Sequence, residues 1–82
     1  KLKITLKDAN LIDQVFEELV SKYLDLSPNT EDGVRIDFNE GWVHMRKSNT
    51  EPIVRIFSES DTQIKADKIA LDIEKEINDL VN

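Results

Sequence analysis

Between positions 46 and 55 the chain reads Arg46-Lys47-Ser48-Asn49-Thr50-Glu51-Pro52-Ile53-Val54-Arg55. Two guanidinium groups, two hydroxyls, an amide and an ammonium gather around what the flanking apolar residues make a tight connection between two strands. A phosphate dianion calls for such a set. Forked guanidinium donors supply charge and geometry, and hydroxyl and freed backbone N–H donors fill the remaining lone pairs. Asn49 tolerates left-handed backbone, and Pro52, lacking an N–H, suits the start of a strand. No histidine or acid pair stands beside these hydroxyls to activate one, so the chemistry the set favours is gripping rather than bond-making. The same composition also describes an ordinary polar turn with two exposed arginines, because Ser, Asn, Thr and Pro are common turn residues.

Other side chains offer less. His44 is the only histidine, so no histidine pair is available for a metal, and by alternation it shares a face with Trp42 and Arg46. Its reading is a structural or surface one, with an influence on phosphate charge as the functional alternative. A lone Trp42 beside a basic strand lacks the interleaved aromatics of a nucleic-acid sheet and is expected to pack in the core or on the hairpin. Glu17, Glu18, Asp25, Asp72, Glu74, Glu76 and Asp79 fall on helical outer faces as solvated surface. Asp61 suits the positive end of a helix dipole. Ser58 reads as a strand residue.

These positions need elements to hold them. Residues 2–6 alternate Leu2, Ile4 and Leu6 with polar neighbours, the period of a half-buried strand. Leu11, Ile12, Val15, Phe16, Leu19, Val20 and Tyr23 recur at helical spacing, with Asp8 or Asn10 as cap. The turn-rich stretch Leu26 to Gly33 is a loop. Val34, Ile36 and Phe38 alternate as a strand, and Asn39-Glu40-Gly41 closes a three-residue hairpin with a left-handed glycine. Trp42 to Lys47 returns, and Ile53 to Glu59 forms the last strand. Ser60 and Gln63 are spaced as a capping box before a helix whose apolar stripe runs from Ala66 to Val81. The order β-α-β-β-β-α predicts an α+β fold: a four-stranded, mainly antiparallel sheet with two helices on one face.

The 82 residues allow one core and one domain. Net charge is −6. The segment from Trp42 to Phe57, with Arg46, Lys47 and Arg55 against Glu51, carries +2, and the remainder carries −8. An acidic body argues against nucleic-acid or anionic-membrane partners, which need broad cationic surface, and leaves room for a small anion at one place. The absence of cysteine removes disulfides and thiolate chemistry and fits a reducing, cytoplasmic setting. No apolar run is long enough for a membrane span. A chain opening on Lys1 is expected to be a piece of a longer protein.

The 46–55 segment resembles the C-terminal phosphate-binding loop of the α-D-phosphohexomutases, whose pattern is Arg-x-Ser-(Gly or Asn)-Thr-Glu-Pro-x-x-Arg. Seven specified positions coincide, Lys47 standing where many relatives have proline. Asp32-Gly33-Val34-Arg35-Ile36 and Gly41-Trp42-Val43-His44 are similar to that family's preceding hairpin, and Glu59 falls where its last strand ends. The resemblance is firm from Asp32 to Glu59 and looser over the rest. It implies the fourth, TATA-box-binding-protein-like domain of a larger enzyme of phosphomannomutase/phosphoglucomutase type. That enzyme moves a phosphoryl group between the 1- and 6-positions of a hexose through a phosphoserine and a bisphosphate intermediate. It further implies that Arg46, Ser48, Asn49, Thr50 and Arg55 contact the phosphate not being transferred. Serine nucleophile and Mg2+ site would lie in other domains of the parent chain, leaving this domain inactive alone, with no catalytic residue and no metal. Asn49 in place of glycine leans slightly away from phosphoglucosamine mutases. Two readings of other classes compete: a stand-alone ferredoxin-like module that senses a small anion, and an acidic protein-interaction domain with an incidental loop.

Overall fold

A computed structural model describes residues 2–5, 10–48 and 50–81, and for residues 2–4 the backbone only. The fold is α+β. Strands β2 (Val34–Phe38), β3 (Gly41–Lys47) and β4 (Ile53–Ser60) form an antiparallel meander, and β1 (Leu2–Thr5) runs antiparallel along the far side of β4. Helices α1 (Asn10–Lys22) and α2 (Gln63–Val81) complete it. Position 6 and the alternative cap Asp8 lie outside the described residues, and Asn10 is itself the first helical residue of α1.

Period-two alternation decides which face of the meander is dry. Val34, Ile36, Val43, Met45, Val54 and Ile56 all point one way and join Ile12, Val15 and Leu19 of α1 and Ala70, Ile73 and Ile77 of α2 in one buried cluster. The helical stripe meets the strand stripe, and both helices lie over the same side of the sheet. Burying the ten Val, Ile and Leu side chains of this cluster, each worth about 1.5–3 kcal/mol, is what offsets the chain entropy of a domain this small. The opposite face carries Arg35, Asp37, Trp42, His44, Arg46, Arg55, Phe57 and Glu59. It is wet but ordered: the Arg35 guanidinium sits 4.6 Å above the Trp42 ring and bonds Asp37 at 3.1 Å. Trp42 therefore packs on the hairpin and not in the core.

Two local expectations change. The hairpin turn has two residues, Asn39 and Glu40, because Phe38 pairs with Gly41, and Gly41 does not take a positive φ. Its lack of a side chain serves a close approach instead: a Cβ there would stand 2.1 Å from the Glu59 carbonyl oxygen. The left-handed glycine is Gly33, at φ +71°. At the last helix, Ser60 is not the cap. β4 runs through Ser60, whose hydroxyl bonds the Glu40 carbonyl and so ties the hairpin turn to the strand end. Thr62 caps α2, its Oγ1 accepting the Lys65 N–H at 3.2 Å. Asp61 bonds Lys65 and Ser60, and these two contacts hold its carboxyl below the usual range.

Candidate anion-binding site

The strands β3 and β4 pair as far as Lys47↔Val54, and Ser48 N–H closes the ladder on the Ile53 carbonyl at 3.0 Å. Residues 50–52 connect back to β4 at the ends of these two central strands. Within this connection, the Thr50 N–H bonds Ser48 Oγ at 3.3 Å and the Ile53 N–H bonds the Glu51 carbonyl at 2.8 Å. Three backbone donors that the sequence offered as free are thus used to hold the turn. The Ser48 hydroxyl accepts from Thr50 and retains its own hydrogen to donate. Thr50 is exposed, Ser48 half-buried, and Asn49 lies outside the described residues.

The register brings the two arginines together. Arg46 and Arg55 are direct cross-strand partners, so their side chains leave the same face of the sheet with Cβ atoms roughly 5 Å apart. Like charges directly opposite each other destabilise an empty sheet, and an anion between them reverses the sign. Lys3 occupies the next position of the same row, opposite Arg55 on β1. Sequence reasoning missed that register position, whose signal was the parity of the first strand combined with antiparallel pairing to the last.

Lys47 belongs elsewhere. Opposite in parity to Arg46, it reaches over the core side to Asp13 of α1, with Nζ 3.0 Å from Oδ1, and adds no charge to the Arg46–Arg55 face. Among the described residues Arg46 pairs with Asp32, whose Oδ2 is 3.3 Å from its Nη2. His44 Nε2 donates to the Asp32 carbonyl oxygen at 2.6 Å while its ring leans on Phe57. A groove of about 940 Å³ opens on the α1 side of Arg46, walled by Phe16, Val20 and Leu24. Ser58 donates to the Ala66 carbonyl at 2.7 Å, a strand-to-helix tie. Among the described residues no group of three or more His, Asp or Glu side chains could hold a metal ion, and no helix is long and apolar enough to cross a membrane.

What this surface offers is two arginines paired in register where β3 and β4 end, followed by Ser48 and the exposed Thr50. Comparisons with known proteins place the chain in a family. A family model described as phosphoglucomutase/phosphomannomutase, C-terminal domain, matches residues 2–76. A phosphoglucomutase/phosphomannomutase of Thermococcus kodakarensis is 55% identical over 38 residues, 46% of this chain and 8% of that protein. A phosphoglucosamine/phosphogalactosamine mutase of Sulfurisphaera tokodaii is 31% identical over 92% of the chain and 17% of its own length. A phosphoglucomutase of Neisseria gonorrhoeae is 38% identical over 84% of the chain and 16% of its length. Relatives named for different sugars thus match comparably, and the chain spans less than a fifth of each. With the hairpin, the loop and nearly the whole length matched, the chain belongs to the phosphoglucomutase/phosphomannomutase family, as its C-terminal domain.

Proposed function

We propose that the 82 residues act as one unit of a larger phosphohexomutase and grip the phosphate that is not being transferred. Arg46, Ser48, Asn49, Thr50 and Arg55 form the grip. The observation that carries this reading is the direct pairing of Arg46 with Arg55 at the mouth of the loop. Because phosphoryl transfer relies largely on positioning and electrostatic stabilisation, holding the distal phosphate keeps the reacting end in line, and closing this domain over the cleft excludes water. The sugar must bind in two orientations, so the grip reads phosphate and not hexose. Relatives named for glucose and for amino-sugar substrates carry the same domain, which suits a reader of the shared group.

The finer architecture goes with this reading: a complete four-stranded, TATA-box-binding-protein-like unit, β1 extending the sheet along β4 over four residue pairs. The nucleophile and Mg2+ of the reaction belong to other domains of the parent chain. Arginines and hydroxyls do not suit a metal, and the domain alone is inactive. Hexose phosphate and the bisphosphate intermediate are its ligands, in a cytoplasmic enzyme. Each charge-assisted bond contributes about 1.5–3 kcal/mol before desolvation and ordering are subtracted, so the isolated chain binds phosphate weakly.

Titration of the 15N-labelled chain with inorganic phosphate or a hexose 6-phosphate should shift amide resonances of residues 46–51, and Arg46→Ala should abolish the response. Shifts confined to α1 and α2 would sink the proposal.

A further inference from the structure

Asp32 stands on the turn that enters β2, far from Arg46 in sequence, yet its carboxylate meets the Arg46 guanidinium. The turn is held there by contacts that do not use the carboxylate. His44 bonds the Asp32 carbonyl, and the His44 ring is backed by Phe57 of β4. Gly33, at φ +71°, lets the chain press so closely on β3 that a Cβ would lie 2.1 Å from the Met45 carbonyl oxygen. The carboxylate is therefore delivered to Arg46 by main-chain and ring contacts, and not merely by attraction between two free side chains. Its Oδ2 stands 3.3 Å from Nη2 of a planar fork that carries five N–H donors in all.

We propose that Asp32 is a positioning residue that holds the Arg46 guanidinium at the mouth of the loop with its unused donors presented to a phosphate. The inference rests on the phosphate reading above and deepens it. Both side chains are more than half exposed, 53% for Arg46 and 68% for Asp32, so as a bare ion pair the contact contributes little to folding. Its effect is on binding: an arginine already oriented has less rotamer freedom to lose when the anion arrives.

Charge and positioning make opposite predictions for Asp32→Asn. Removing a carboxylate beside the site relieves its repulsion of a dianion, so charge alone predicts tighter phosphate binding. Positioning predicts weaker binding in spite of the gained positive charge, by about 2- to 5-fold if the contact is worth what exposed pairs usually are. The experiment compares the chain with Asp32→Asn in two readouts. The Arg46 Nε–Hε resonance of the anion-free protein should be ordered in the first and motionally averaged in the second, and the Kd for inorganic phosphate should rise in the variant with the urea midpoint little changed. An Arg46 signal equally ordered in both, or a Kd that is unchanged or lower in the variant, would overturn the inference while leaving the phosphate site standing. Absence of any loop response to phosphate in the unsubstituted chain would overturn the phosphate reading itself.

Discussion

Gly33 and Gly41 form a matched pair for testing how the strands are brought together. A Cβ built at Gly33 meets the Met45 carbonyl oxygen at 2.1 Å, and one built at Gly41 meets the Glu59 carbonyl oxygen at 2.1 Å. Both intrusions are against backbone, far inside the roughly 3.5 Å at which non-bonded atoms sit comfortably, so in both variants two strands must part. Overpacking of this kind costs about 1–3 kcal/mol. The gain from restricting the unfolded chain is the same for either Gly→Ala change and cancels in the comparison. What differs is the backbone: only Gly33 has a positive φ, which adds about 1–2 kcal/mol for alanine. Gly33→Ala should therefore be the more destabilising by that margin, against a total stability of about 4–12 kcal/mol for a chain of this size. In thermal unfolding followed by circular dichroism the margin corresponds to roughly 4–16 °C between the two midpoints. Equal midpoints, or a lower one for Gly41→Ala, would refute the argument that left-handed geometry at the β2 entry is a separate cost.

Thr62→Ala should lower stability by about 1 kcal/mol and speed hydrogen exchange at the Lys65 amide, whereas Ser60→Ala should leave that amide alone; the reverse pattern would restore Ser60 as the cap. Burial, and then the hydrogen bond to Glu76, push the Tyr23 phenol above its usual value near 10, so the folded state holds that proton more tightly than the unfolded chain. The contribution is complete below pH ~10 and is lost as pH climbs above it, and Tyr23→Phe should flatten the fall in Tm measured on that alkaline side. Lowering ionic strength from ~0.15 M to ~0.01 M stretches the screening length from ~8 to ~30 Å, comparable to the 34 × 24 × 23 Å domain, so the −8 remainder of the chain then opposes the anion. Phosphate affinity measured by NMR should fail to strengthen at low salt, and a steep strengthening would mean that cations outside the 46–55 segment dominate the site.

The strands and helices were legible because each buries one face: alternation in Val34–Phe38, Trp42–Lys47 and Ile53–Glu59, and the stripes Ile12–Leu19 and Ala66–Ile77, can be satisfied in only one way once a common core must form. Sequence pattern is ambiguous where two local solutions are equally good and a distant contact chooses between them. Ser60 and Thr62 are both acceptable caps; pairing of β4 with β3 out to Gly41↔Ser60 consumes the first and leaves the second. Gly41 could have been a left-handed turn residue or a residue needed for closeness, and only the position of Glu59 across the sheet separates the two. The site divides in the same manner. Its residue types were readable at positions 46–55, but their usefulness depends on parity across a four-residue loop. With Ser48 paired to Ile53, Arg46 falls opposite Arg55; a loop one residue longer or shorter in β4 would have sent Arg55 to the core side, where Val54 now lies. Lys47, adjacent in sequence and identical in charge, is removed from the site by that rule and bonded to Asp13. Asp32 was visible only as part of a hairpin pattern, because what brings it to Arg46 is the φ of Gly33 and a histidine two strands' width from β1. The clustering of basic side chains here is thus a property of strand register first and of composition second, which is why a chain of net charge −6 can carry a local basic spot without being a basic protein.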